Sequence, residues 1–276
     1  MVNAQSIDLN NPVFISDSLM QSVESPDWST DSQKLVYSGF VDGKWNVFIY
    51  VLPTDSVESV SNSNFNERKP TWHPDGNSIV YDKIKNGFPT LFIINTSTEE
   101  RKQLLNRDIK CSQASFSNSG NLVCFLGFDK IKGNWQVYTY DFIYDNLNQL
   151  TQHKTSCNSP CFSPDGKHIL YELISESLDT TLIMLNWYGN VELALDTLEA
   201  ASPSWDEKSW RFQFLSKNGQ SNTEIYSLRR NGDHMVQLTD NNLLEKGFTQ
   251  SPDGKFAAII IEENQQRRLV ITRMLQ

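Results

Sequence analysis

The chain has 276 residues and a net charge of −9, which argues against a nucleic-acid partner, because affinity for a phosphate backbone comes from clustered Lys and Arg. Hydrophobic residues make up 38% and aromatics 11%, which fits a globular protein rich in strands, and no stretch approaches the ~20 apolar residues a membrane helix needs. At this length roughly three quarters of the unfolded surface can be buried, so no disulfide or metal staple is needed.

Residues 1–11 are polar and lack the apolar segment of a signal peptide. The chain as written therefore reads as cytoplasmic, or as periplasmic if a leader has been removed. Val13-Phe14-Ile15 is the first apolar run. A short pattern then recurs: a small residue or Pro, any residue, an aromatic, two residues, then Asp or Asn near Gly. It opens as Pro26-Asp27-Trp28-Ser29-Thr30-Asp31 and returns as Pro70-Thr71-Trp72-His73-Pro74-Asp75-Gly76. Later copies are Ala114-Ser115-Phe116-Ser117-Asn118-Ser119-Gly120, Pro160-Cys161-Phe162-Ser163-Pro164-Asp165-Gly166 and Pro203-Ser204-Trp205-Asp206-Glu207-Lys208. In the last, Gln250-Ser251-Pro252-Asp253-Gly254, Gln250 takes the aromatic slot. The slots at 28, 72, 116, 162, 205 and 250 are 44, 44, 46, 43 and 45 residues apart. A period of ~40–45 residues with four strands per unit is the β-propeller signature.

Each repeat reads alike. The Pro-aromatic segment is an inner strand, and the Ser-Pro-Asp-Gly stretch is a tight turn in which Pro sets φ and Gly accepts positive φ. Leu35-Val36-Tyr37, Ile79-Val80-Tyr81 and Ile169-Leu170-Tyr171 are second strands, whose continuous apolar character suits burial on both faces. Val47-Phe48-Ile49-Tyr50 and its counterparts form third strands. Short fourth strands end near Val60, Leu104, Leu150, Leu193 and Leu238. The sixth repeat runs out after its third strand, Leu269-Val270-Ile271-Thr272. Residues 12–17 are therefore expected to supply its outer strand, closing an all-β, six-bladed propeller of four antiparallel strands per blade, in one domain over 1–276. Closure also removes a sheet edge.

Phe162-Ser163-Pro164-Asp165-Gly166-Lys167, the third-strand Ile-Tyr and Gln237-Leu238-Thr239 resemble the TolB-type (WD40-like) propeller repeat, over nearly the whole chain. The resemblance implies a protein-docking module. TolB's additional N-terminal domain has no counterpart in this sequence. Similar propellers precede the hydrolase domain of prolyl oligopeptidases, but no Gly-x-Ser-x-Gly elbow occurs here. Oligogalacturonate lyases, which use a related propeller, need a His-rich metal cluster, and of the four His here only His153 is placed to approach the channel, too few for such a cluster.

Propeller ligands meet the ring where one blade's fourth strand hands over to the next inner strand. Glu24, Glu67, Glu199 and Glu245 fall four to six residues before their slots, and a ring of carboxylates there could hold Ca²⁺ or another hard cation. Alternatively they are solvated loop residues, and no cofactor is then implied. Arg68, Lys69, Arg107, Lys110, His153, Lys154 and Lys246 share these loops, to grip an anionic terminus or to pair with the glutamates. Trp45 and Trp135 follow glycines at matching positions of blades one and three, with Phe88 between them. They are the expected partner-binding anchors, or else fold over their own blade edges. Asp31, Asp75, Asp165 and Asp253 read as turn caps. The four cysteines have no paired spacing; Cys157 and Cys161, about 13 Å apart along a strand, are too far for a bridge. The expected function is non-catalytic docking of a protein or peptide. The alternative is a channel-site enzyme acting on a carbohydrate or peptide, with or without a metal.

Overall fold

In the fourth copy of the turn, the Ser163 hydroxyl donates to Asp165 at 2.5 Å, the Lys167 amide donates to the same carboxylate at 3.0 Å, and Gly166 takes φ 66°. The chain must therefore reverse. Asp31, Asp75 and Asp253 cap their turns in the same way. Burial works to raise the Asp165 carboxyl, but the bonds from Ser163 and Lys167 outweigh it and leave its pKa lowered.

These turns set out a computed structural model in which residues 6–9, 12–15, 20–61, 63–206, 208, 210–217 and 222–275 are described. Two short strands, β1 (Ser6–Ile7) and β2 (Val13–Phe14), precede the ring. Blade one is β3 (Ser22–Trp28), β4 (Lys34–Val41), β5 (Lys44–Val51) and β6 (Ser56–Ser59). Blade two is β7 (Asn66–Trp72), β8 (Ser78–Lys85), β9 (Phe88–Asn95) and β10 (Arg101–Gln103). Blade three is β11 (Cys111–Phe116), β12 (Leu122–Asp129), β13 (Asn134–Asp141) and β14 (Asn146–Gln149). Blade four is β15 (Cys157–Phe162), β16 (His168–Ile174), β17 (Thr180–Asn186) and β18 (Val191–Leu195). Blade five is β19 (Ala201–Trp205), β20 (Arg211–Ser216), β21 (Glu224–Arg229) and β22 (Val236–Gln237). Blade six has β23 (Leu244–Gln250), β24 (Phe256–Glu263) and β25 (Gln266–Leu275).

The outer place in blade six is filled from the N-terminus, as the missing strand requires. Val13 and Phe14 pair with Ile271 and Val270, and the Ile15 amide donates to the Leu269 carbonyl at 3.0 Å. Residues 16 and 17 lie outside the described residues. The closure also reaches further than expected: β1 pairs with Met274 and Leu275 on the same strand. Ile7 and Ile15 are both buried, one in the core between blades five and six, the other in the core between blades six and one.

Adjacent blades are locked by their slot residues. The Trp28 indole donates to the Thr249 carbonyl and the Trp205 indole to the Cys161 carbonyl, each at 3.4 Å. In blade six, Gln250 replaces the aromatic and accepts a buried bond from Gln213 at 2.8 Å. Five inner strands also carry a bulge whose residue is left-handed: Ser25, Lys69, Gln113, Ser159 and Ser202, with φ between 47° and 56°. The freed amides need acceptors. Asp82 accepts from the Gln113 amide at 3.0 Å, Gln113 Oε1 from the Ser159 amide at 2.6 Å, and Glu172 from the Ser202 amide at 2.6 Å. Ser38 serves the Lys69 amide at 2.8 Å.

All four cysteines are free, and three are buried. Burial pushes the Cys111 thiol up to about 12 and the Cys157 thiol up to about 11, so neither is a reactive thiolate at neutral pH. Alkylation of the denatured, unreduced protein should label every cysteine. An intact mass two labels short would reveal a disulfide and overturn this expectation.

Candidate functional site

The six inner strands enclose a channel of about 310 Å³. Its wall holds the bulge residue and the two after it in four strands, Ser25-Pro26-Asp27, Lys69-Pro70-Thr71, Gln113-Ala114-Ser115 and Ser159-Pro160-Cys161, with Pro203-Ser204 from blade five and Phe248-Thr249-Gln250 from blade six. The wall is therefore mainly hydroxyls, amides and proline rings. Asp27 is its acidic group. Burial raises this carboxyl to about 6, against hydrogen bonds from the Trp72 amide at 2.7 Å and the Thr71 hydroxyl at 2.9 Å.

Three of the four glutamates expected at the channel mouth are engaged elsewhere. Glu24 binds Arg68 through two bonds of 2.7 and 2.5 Å, and Glu67 pairs with Lys83 at 3.0 Å. Glu245 is fully buried, accepting from Thr239 at 3.1 Å and from Asn241 at 3.0 Å. Glu199 and Lys246 are exposed. The cause is the bulge. Its one extra residue resets the alternation of side chains, so positions before it turn between blades and positions after it line the channel. Among the described residues, no three His, Cys, Asp or Glu side chains converge as a metal would need.

Arg107 also departs from the expected ring. Leu105 is buried in the core between blades two and three, which draws the loop to the blade flank, and Arg107 there pairs with Asp145 at 2.7 Å. His153 comes within 2.9 Å of the Tyr171 hydroxyl, and burial, then Lys132, lowers its pKa. It therefore stays neutral at pH 7.

The aromatic anchors do share one face. Each opens a third strand after a hairpin turn, and in blades one and two the turn is Asp42-Gly43 or Asn86-Gly87 with both residues at positive φ. Trp45 is half-buried, lying against Phe40 of its own blade and beneath the Arg68 guanidinium, which is 4.8 Å from the ring centre. Phe88 is 47% exposed, with the Lys110 ammonium over it. Trp135 is half-buried, edge-on to Phe128 at 5.4 Å between ring centres. Both indoles thus lean on their blade edges while keeping an accessible side. The cation covers were not foreseen, nor were the buried acceptors Asp82 and Glu172. The acceptors do leave a trace: a polar residue directly after tyrosine inside an apolar second strand, as in Tyr81-Asp82 and Tyr171-Glu172.

Six blades with bulged inner strands, Ser-Pro-Asp-Gly turns on one face and a closing N-terminal strand define a TolB-type propeller. The TolB beta propeller domain family matches residues 2–209, and the chain belongs to that family. A protein TolB homolog of Chlorobium chlorochromatii (strain CaD3) is 24% identical over 128 residues, 46% of this chain but 29% of that protein. The chain thus matches less than a third of that curated relative. The crystal structure of TolB from Acinetobacter baumannii aligns with a TM-score of 0.70 and 16% identity, over 88% of this chain and 64% of that one. Oligogalacturonate lyase from Vibrio parahaemolyticus aligns with a TM-score of 0.63 and 12% identity, over 93% of this chain and 76% of that one. At these identities the structural likenesses show the fold alone. No helix among the described residues is long and apolar enough to cross a membrane.

Proposed function

We propose that the chain is a non-catalytic binding module that docks a protein or peptide on its loop face. The observation that carries this reading is the cation-covered aromatic rim, with Trp45 under Arg68 and Phe88 under Lys110. Aromatic and Arg side chains are enriched at interface cores, and a stacked guanidinium held by Glu24 loses little further freedom on binding. The TolB family membership supports the same reading. Residues 1–276 as a single binding unit are part of it, as is a cytoplasmic or periplasmic location without membrane insertion and without nucleic acid.

A test uses the intact chain as bait in a pull-down from its source, beside a Trp45→Ala/Trp135→Ala variant and a Phe88→Ala variant. Truncating a hot-spot aromatic costs about 2 kcal/mol or more, so recovery of any specific partner should fall by more than tenfold. Unchanged recovery in all variants would remove the loop face from consideration and direct attention to the channel wall at Asp27.

A further inference from the structure

The face opposite the aromatic rim carries a departure from the repeat that the fold does not require. In every blade, a residue at the end of the third strand or just after it donates its amide to the carbonyl of the residue before the second strand. The pairs are Leu52 to Gln33, Thr96 to Asn77, Phe142 to Asn121, Trp187 to Lys167, Arg230 to Trp210 and Met274 to Lys255, all at 2.8 or 2.9 Å. Five blades therefore place a polar residue at the acceptor position. Four of those five place an apolar residue at the donor position, where Phe142 stacks on Phe116 and Trp187 on Phe162.

Blade five inverts this polarity. Trp210 takes the outer, polar position and is 63% exposed. Arg230 takes the inner, apolar one. Trp210 belongs to none of the hydrophobic clusters. Its ring is instead covered on one side by the Arg230 guanidinium, 4.5 Å from the ring centre. That guanidinium is fixed from blade four: Asp165 accepts from it at 3.2 Å, and His168 lies 3.4 Å away, itself 3.0 Å from Glu192. Among the described residues this exposed indole adds nothing to the hydrophobic clusters, yet its neighbour is held in place by a chain of polar and charged side chains.

A cavity of about 370 Å³ opens beside this pair, with Asn118, Asp165, Lys208, Trp210 and Arg230 in its wall. That is within the range of small-ligand sites. We propose that this cavity binds a saccharide, with one pyranose ring lying on Trp210. A pyranose has an apolar C–H face that suits an indole and a rim of neighbouring hydroxyls. Asp165 keeps a lone pair on the oxygen that Arg230 binds, Arg230 has further N–H donors and Asn118 one group of each kind, a set that suits adjacent hydroxyls. The charge also discriminates. A cationic ligand meets Lys208 and Arg230, and a multiply anionic one meets Asp165, so a neutral polyhydroxyl compound fits best. The site is independent of the loop-face reading, since it uses other residues on the other face.

The test is calorimetric titration of the full chain with cellohexaose, maltohexaose, xylohexaose and chitohexaose at millimolar concentration, with circular dichroism to confirm folding of each variant. Saturable binding by at least one of them is expected. Trp210→Ala and Arg230→Gln should each weaken it by about tenfold or more, while Trp45→Ala leaves it unchanged. The proposal is overturned if none of the four binds, or if binding is indifferent to Trp210→Ala. It is also overturned if a peptide library, and no saccharide, is retained through Trp210.

Discussion

Removing residues 1–15 should lower the thermal midpoint by about 10 °C or more, since each kcal/mol is worth roughly 2–4 °C in a protein of this size. The effect is large because the segment seals two cores at once. Ile7 is packed with Phe248, Val270 and Met274, and Ile15 with Val23, Trp28 and Leu269. Loss of one buried aliphatic side chain typically costs about 2–4 kcal/mol, so both together reach about 5 kcal/mol. The truncation also leaves β25 as an open edge, with the carbonyls of Leu269 and Arg273 no longer receiving the Ile15 and Asp8 amides. Ile15→Ala and Ile7→Ala separate the two contributions, and each should give part of the loss. A truncated protein that melts at the full-length midpoint would show that the ring does not depend on its N-terminal strand.

A second expected result concerns pH. Glu245→Gln should stabilise the protein at pH 8 and change little at pH 4.5. Glu245 is fully buried at the seam of blades five and six. Burial raises its carboxyl to about 7, and the neighbouring Glu224 adds to the rise, against bonds from Asn241 and Thr239. Asn241 also donates to Glu224, so the two carboxyls share one amide. Lys246, the adjacent cation, is exposed. A carboxyl whose pKa is raised by folding contributes fully below its unfolded value, 4.5, and loses that contribution as pH climbs through about 7. Over that window the wild type should lose on the order of 3 kcal/mol from this group, and the glutamine variant should not. Asp27 and Asp82, both raised by burial to about 6, act in the same direction at lower pH. The capping Asp165 has a lowered pKa and acts oppositely, contributing above its unfolded value and losing that in acid. Urea unfolding of both proteins at pH 4.5 and pH 8 isolates Glu245. A difference in stability that stays constant with pH would refute the assignment.

Much of the fold was legible because its signals are local. Ser163-Pro164-Asp165-Gly166 closes a turn with bonds that span a few residues, and Ile169-Leu170-Tyr171 buries both faces whichever blade it joins. Such signals survive without knowledge of partners, and their spacing counts the blades. Val13-Phe14-Ile15 was assignable because an apolar triplet answered a missing strand. Ile7 was not, since one apolar residue in a polar stretch has no period.

The candidate sites were less legible, for a geometric reason. Glu24, Glu67 and Glu245 sit at the right sequence offset for the channel mouth, but the inner-strand bulge rotates them out of it and brings Asp27 and its counterparts in. Arg68 covers Trp45, and Arg230 covers Trp210, across gaps of about twenty residues that only the packing of strands closes. Local backbone chemistry thus determined the turns, the strands and the number of blades. Tertiary contacts decided which side chains face the channel, which carboxylates lose their water, and which aromatic rings receive a cation, because each of these depends on neighbours brought together by long-range strand pairing.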